Sequence, residues 1–207
     1  MRGRFITLEG GEGAGKSTQL ERLAAAVRGR GCEVVATREP GGSPGAEAIR
    51  GLLLRGDQGR WGIQAEALLF AAARADHVAR TILPALEAGR WVICDRFVDS
   101  SIAYQGIAGG LGEQAIRQLH AIGSGGLYPD RTLLLALPTG AGAERAALRD
   151  GDQADRIAAR GDAYHDVVAS AFASLAQSEP QRIRTIDASG TPDAVTGRLI
   201  AAIEDLL

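Results

Sequence analysis

The run Gly10-Gly11-Glu12-Gly13-Ala14-Gly15-Lys16-Ser17 restricts the possible folds of this chain more than any other stretch. It matches G-x-x-x-x-G-K-[ST] at every fixed position. Glycines let the backbone curl so that successive N–H groups face one anion. The apolar run Arg4–Glu9 before it reads as a buried strand. From Ser17 to about Arg28 the spacing is helical, with Leu20, Leu23, Ala24 and Val27 on one face. Strand, glycine loop and helix are the context the motif requires. The helix N-terminus adds the positive end of its dipole. Lys16 is placed to reach the β- and γ-phosphates of a nucleoside triphosphate such as ATP, the Ser17 hydroxyl to hold Mg²⁺, and Gly10 through Thr18 to enclose the phosphates. The basic residues are 22 arginines and this one lysine. The chain has thus kept its one compact ammonium where the loop chemistry uses it.

The rest of the chain alternates strands and helices. Strands are expected at Glu33–Thr37, Trp91–Asp95, Thr132–Leu137 and Ile183–Asp187. Helices are expected at Ala46–Leu54, at Ile63–Leu83 with Pro84 kinking it or starting a new turn, at Gln114–Ile122, Gly140–Leu148, Tyr164–Leu175 and Pro192–Leu206. Asp95 is read as running straight into a charged turn. Near-continuous apolar strands imply a parallel sheet buried on both faces. The expected architecture is α/β: a three-layer P-loop fold whose five-stranded parallel sheet is covered by helices on both faces. Residues 1–207 read as a single domain, without repeats or linker.

A formal net charge of −2 gives no global basic surface for nucleic acid. Cations for phosphate must therefore be placed locally. Cys32 and Cys94, each beside an apolar run, read as buried reduced thiols of a cytoplasmic protein. The apolar run Phe5 to Leu8 is too short for a signal-peptide core, and no stretch approaches a membrane span.

The loop implies a nucleoside triphosphate but not what is done with it. A guanine-reading Asn-Lys-x-Asp is excluded, because the single lysine is already in the loop. A phosphotransferase needs a second pocket with cations for an acceptor phosphate and a cover against water. Thr37-Arg38-Glu39-Pro40-Gly41-Gly42 follows the second strand, Leu69-Phe70-Ala71-Ala72-Ala73-Arg74 lies on the long helix, and Asp95-Arg96-Phe97 ends the third strand. Ser100-Ser101-Ile102-Ala103-Tyr104-Gln105-Gly106 comes next. Taken in order, these resemble the T-R-E-P-G-G, L-F-x-A-A-R, D-R-[YHF] and S-x-x-A-Y-Q-G motifs of bacterial thymidylate kinases. The resemblance is closest from residue 4 to about 110 and looser beyond. It implies transfer of the γ-phosphate of ATP to dTMP, giving dTDP, by a Mg²⁺-dependent homodimer whose long helix 63–83 is a candidate dimer surface.

The residues also make chemical sense individually. Asp95, at a buried strand end beside the loop, can bind Mg²⁺ or its waters or orient the acceptor. Arg96 offers a planar fork to the acceptor's α-phosphate, and Arg38 in the opposite loop can hold the same group. Phe70 and Arg74, four apart, share a helix face, so that a ring can stack on a pyrimidine while a guanidinium donates to its carbonyl. The resemblance places Arg74 against thymine O4, which disfavours the amino group of cytosine. It places Tyr104 under the sugar, where a ribose 2′-OH would crowd it. It places Pro40, Ser100, Ser101 and Gln105 in the acceptor pocket and Arg50 on its phosphate side. Gln105 can present a donor and an acceptor to N3–H and its neighbouring carbonyl. The Asp187-Ala188-Ser189 segment is a candidate adenine contact by position.

Some members of the family carry an arginine in the phosphate loop, and others place catalytic arginines in a mobile lid. With Glu12 in the loop, the cation is expected from a lid at about 140–162, with Arg149 and Arg156 matching best among Arg145, Arg149, Arg156 and Arg160. Two family acids are missing: Ala136 stands where L-x-L-D-V has Asp, and Ala158 where D-R-x-E has Glu. The rival readings are a UMP or CMP kinase, a nucleotide-sensing module that binds ATP without transfer, and an ATPase without acceptor.

Overall fold

In a computed structural model of the chain, residues 2–138 and 156–207 are described, with Gln58 described by its backbone alone. Helix 140–148, Arg145, Arg149 and most of the expected lid lie outside the described residues. The strands are β1 (Phe5–Glu9), β2 (Val34–Arg38), β3 (Trp91–Asp95), β4 (Arg131–Ala136) and β5 (Ile183–Asp187). They form one parallel sheet in the order β2-β3-β1-β4-β5. After β1 the chain builds two strands on one side and then two on the other. Open parallel sheets bind ligands at such a switch, beyond the carboxyl ends of the strands. Register fixes what meets there: Leu8 lies opposite Asp95, and Arg38 lies opposite Asp95 from the other side.

Period-two alternation sends strand residues to two cores. Phe5, Val92, Cys94 and Leu134 pack on one face, with Phe97, Ile102, Phe172 and Leu175 from the covering helices. Ile6, Leu8, Ile93, Leu133 and Leu135 pack on the other, against Leu20, Leu23, Val27, Val195 and Leu199. Fully burying each such Leu, Ile or Phe stabilises the fold by about 1.5–3 kcal/mol. The helices are α1 (Lys16–Arg28), α2 (Pro44–Leu54), α3 (Ile63–His77), α4 (Leu83–Glu87), α5 (Val98–Ser101), α6 (Glu113–Ser124), α7 (Asp162–Ser178) and α8 (Pro192–Ala201). None of the described helices is long and apolar enough to cross a membrane.

Four sequence expectations change. The expected helix 63–83 ends at His77, continues as a π-turn over Val78–Ile82, and restarts as α4 with Pro84 in its first turn, where its missing N–H is harmless. The charged turn after β3 is short: Arg96 takes a left-handed φ of 68°, and α5 with a π-turn over Ile102–Ala108 follows at once. Buried Val98 and Ile102, one turn apart, supply its apolar face. The edge strands are not buried on both sides, since β2 is half-buried and β5 exposes Arg184, Thr185 and Asp187. Cys94 is buried, whereas Cys32 is half-buried, and both are free.

Candidate active site

The loop after β1 is shaped by two glycines for different reasons. Gly10 has φ +135°, and a Cβ there would lie 2.4 Å from the Leu135 carbonyl oxygen of β4. Gly15 has φ +86° in open space and caps α1 from a left-handed conformation that a side chain would oppose. Lys16 opens α1, is nearly buried, and donates to Gly10 O (3.1 Å) and Gly11 O (2.8 Å). Burial and the neighbouring Arg96 lower its ammonium pKa to about 8. Ser17 Oγ donates to Asp95 Oδ2 at 2.8 Å, and the β1–β3 pairing brings Asp95 beside the end of the strand that leads into the loop.

The loop opens into a cleft of about 350 Å³. Of the expected residues, Glu12, Gly13, Gly15, Lys16, Ser17 and Thr18 line it at one end. Arg38, Pro40, Arg50, Phe70, Arg74, Asp95, Arg96, Ser100, Ser101, Tyr104 and Gln105 line it elsewhere. Two distant motifs thus share one cavity. Asp187, Ala188 and Ser189 lie outside this lining, and Asp187 instead accepts from its own neighbour Ser189 N (2.9 Å).

Each guanidinium of the cleft has a defined set of partners. Arg96 donates Nη2 to Glu12 Oε1 (2.5 Å) and Nη1 to Gly10 O and Ser100 Oγ (3.1 Å each). It lies 5.2 Å from the Tyr104 ring centroid. Its pKa is raised despite burial, which acts the other way, by Tyr104 and by the carboxylates of Glu12, Asp95 and Glu9. Tyr104 also meets this guanidinium, whose planar fork lines the cleft, where it can receive a phosphate. Arg74 donates Nε to Glu39 Oε2 (2.8 Å) and Nη2 to Ser101 Oγ (2.8 Å) and Phe97 O (3.2 Å). Its Nη1 carries no hydrogen bond among the described residues. Arg38 pairs with Glu47 (2.9 Å), both about half exposed, a contact worth no more than about 1 kcal/mol and easily given up. Arg50 donates to Pro40 O (2.7 Å). Tyr104 donates to Glu12 (3.3 Å), and burial raises its phenol pKa.

Ser100 and Ser101 line the cleft and also hold its arginines, whereas Arg156 lies apart from it. Ser100 and Ser101 bond to arginines: Ser100 Oγ accepts from Arg96 and donates to Glu9 Oε2 (2.6 Å), while Ser101 Oγ accepts from Arg74. Arg156, expected over the phosphates, is instead buried, donating to Leu53 O (2.9 Å) and Glu66 Oε2 (2.5 Å). A carboxylate with no exposure draws in cations, since burying it unpaired is costly.

Sequence reasoning missed three acids that hold this arrangement. Glu9 accepts from Phe97 N (2.7 Å), Ser100 N (3.3 Å) and Ser100 Oγ, and its carboxyl is pushed up to about 8 by burial and by Asp99. Glu39 holds Arg74 and also meets His77 Nδ1 (3.1 Å). Glu66 lies one turn before Phe70 and two before Arg74 on α3. Each had a signal: Glu9 ends the strand before the loop, Glu39 sits inside the Thr37–Gly42 motif, and Glu66 is an acid on an alanine-rich helix in register with two site residues.

The parallel sheet, the glycine cradle at its switch point and the cleft lined with arginines define a nucleotide-binding protein of the P-loop class. The chain belongs to the thymidylate kinase family: the family model described as thymidylate kinase matches residues 8–198. It is 66% identical to the thymidylate kinase of Rhizorhabdus wittichii over 207 residues, all of both chains. It is 49% identical to that of a Bradyrhizobium species (strain BTAi1) over 207 residues, covering all of this chain and 92% of the relative. The crystal structure of thymidylate kinase from Ehrlichia chaffeensis superposes with a TM-score of 0.78 at 30% identity, covering 98% of this chain and all of that one.

Proposed function

We propose that this enzyme transfers the γ-phosphate of ATP to dTMP, giving dTDP and ADP, for dTTP synthesis. The carrying observation is one cleft with two anion sites: Lys16 and the loop at one end, and Arg96, Arg74 and Arg38 around the rest. Transfer is direct and in line, without a covalent enzyme intermediate. The loop amides and Lys16 hold the β- and γ-phosphates and spread the transferring charge. Arg96 and Arg38 neutralise the dTMP phosphate so that its oxygen can approach another anion. That oxygen is already ionised near neutral pH, so no strong general base is required. Phe70 stacks on thymine, Arg74 Nη1 donates to O4, Gln105 meets N3–H, and Tyr104 closes the sugar site. Pro40, Arg50, Ser100 and Ser101 form its walls and hold the arginines in place.

The residues present suit Mg²⁺. Asp95 Oδ1 is buried with no hydrogen-bond partner among the described residues, and Ser17 Oγ touches the other carboxylate oxygen. Both are hard oxygen donors beside the phosphate loop, so Ser17 and Asp95 would hold the ion. When bound, it would add positive charge against the triphosphate. A lid arginine, Arg149 or Arg156, completes the charge; Arg156 is held by Glu66 and Leu53 O in this structure. The active unit is a homodimer in the cytoplasm, with α3, which exposes Leu68, as its contact surface.

The test is a coupled ADP-release assay with ATP and Mg²⁺, offering dTMP, dUMP, UMP, CMP, AMP or no acceptor. Fast release with dTMP, weaker release with dUMP and little with the others is expected. A preference for UMP or CMP would overturn the pocket assignment. Release without acceptor would make the protein an ATPase, and ATP binding with no release would make it a sensing module.

A further inference from the structure

Glu66 touches neither end of the reaction as described, yet it is completely buried and both its oxygens are occupied. Oε2 receives Arg156 Nη2 (2.5 Å) and Arg160 Nη2 (2.7 Å). Oε1 receives Gln105 Nε2 at 2.9 Å. The arginines are themselves fixed. Arg156 Nε is bonded to Leu53 O (2.9 Å), and Arg160 lies 4.7 Å from the Tyr164 ring centroid and donates to the Tyr164 hydroxyl (2.6 Å). That hydroxyl donates in turn to Tyr104 O at 2.6 Å. The carboxylate is therefore clamped from the side away from Gln105.

A glutamine amide left alone can rotate and offer either N–H or C=O to a ligand. A carboxylate only accepts, so the group Gln105 turns toward Glu66 must be its NH₂. The amide oxygen is then the atom left for the cleft that Gln105 lines, and it makes no hydrogen bond among the described residues. We propose that Glu66 is a specificity-determining positioning residue. By pinning one N–H of Gln105 Nε2, it fixes the amide oxygen toward this point of the cleft, suited to a pyrimidine with N–H at position 3 and unsuited to one whose N3 is a bare acceptor. The inference rests on Gln105 facing the base, as in the function proposed above. It assigns the rejection of cytosine to two contacts in series: Arg74 donating to O4, and a glutamine whose orientation is set one residue deeper.

The experiment measures kcat and KM for dTMP and dCMP at saturating ATP in wild type, Glu66→Gln, Gln105→Ala and the double variant. In Glu66→Gln the two arginines hold the new amide oxygen, so its NH₂ faces Gln105 and draws the Gln105 oxygen away from the cleft. The dTMP-to-dCMP ratio of kcat/KM is expected to fall by roughly tenfold or more, the scale at which a buried hydrogen-bonding mismatch discriminates. The loss should appear as a raised KM for dTMP more than a lowered kcat. Adding Glu66→Gln to Gln105→Ala should leave the ratio where Gln105→Ala alone put it, because Glu66 acts through that residue. If Gln105→Ala lowers the ratio and Glu66→Gln does not, the role of Glu66 is overturned and Gln105 stays a base reader. If Gln105→Ala leaves the ratio untouched, the base-facing reading fails and the inference with it. Should Glu66→Gln not fold, the wild-type side-chain amide signal of Gln105, identified by its absence in Gln105→Ala, decides the matter. Proton exchange much slower than at the exposed side chains of Gln114 and Gln177 supports a pinned amide. Exchange as fast as theirs overturns it.

Discussion

The two ends of the cleft are built from different parts. At the loop end the anion-facing groups are backbone amides, directed by the positive φ angles of Gly13 (70°) and Gly15 (86°) and by the start of α1. At the other end, the acceptor end of the proposed function, they are guanidiniums on long side chains, two of them held by buried acids: Arg74 by Glu39, and Arg96 through Ser100 by Glu9. A backbone cradle is set once the chain folds and tolerates side-chain variation, including a glutamate at position 12. A side-chain cradle depends on pairs in a low-dielectric interior, where loss of one partner leaves the other exposed to the full cost of burial. The loop end should therefore have few sensitive side chains, Lys16 and the pair Ser17 and Asp95, and the acceptor end many.

Lys16 is the first of these, and its removal should have the largest effect. Lys16→Ala is expected to lower kcat by about 10²–10³-fold or more, on the scale of losing one preorganised charge stabiliser, with the circular dichroism spectrum unchanged. ADP release with dTMP measures it. Near-normal turnover would mean that the amides suffice alone and would remove the lysine from the mechanism.

The acceptor end can be broken from behind. Glu39→Gln leaves Arg74 in place but takes away the carboxylate that holds Nε and its partner His77. It is expected to reduce kcat/KM for dTMP by roughly 10–100-fold, close to the loss in Arg74→Ala, with KM for ATP moved less than about threefold. Equal losses for both substrates would show that the damage spreads through the fold and that the two ends are not built independently. Thermal melting should also record a loss of about 3–5 kcal/mol in Arg74→Ala, since that change strands a buried carboxylate.

The same contrast decides what could be read from the sequence. The loop was legible because its function lies in backbone geometry, and glycine spacing records backbone geometry directly. The five strands were legible because apolar runs bounded by glycines and charges have few alternatives, whereas their order β2-β3-β1-β4-β5 was not, since parallel crossovers are compatible with many orders. The acceptor residues were legible as a set, by motif, but not as a mechanism. Nothing in the spacing of Ser100 and Ser101 says that they bind arginines. Nor does it say that Arg156, 90 residues from Glu66 in the chain, is drawn under the pocket. Such pairings depend on which charges the fold buries together, and that is decided by tertiary packing. The helix after Asp95 was hidden for a related reason: its local sequence is turn-like, and burial of Val98, Ile102 and Ala103 overrides it.

Glu9 offers the smallest and sharpest test, because it stands where the two constructions meet: it ends the strand that leads into the loop, and it steadies Ser100 behind Arg96. Burial and Asp99 push its carboxyl up to about 8, against an ordinary value of 4.5. Between these two values the folded protein keeps a proton that the unfolded chain has released. The resulting stabilisation is complete below about pH 4.5 and is lost as pH rises through about 8. Wild type should therefore show a component of its melting temperature that declines from pH 5 to 8. Glu9→Gln, which carries the neutral form at every pH, should lack that component while still offering an oxygen to Phe97 N. Melting curves measured at half-unit pH steps settle it. If the two proteins keep a constant separation across the range, Glu9 is an ordinary ionised partner, and the acceptor end rests on charge at this position as it does at Glu39. If the slope disappears, the junction between the two ends is neutral at physiological pH, and Arg96 keeps its charge for the phosphate and for Glu12.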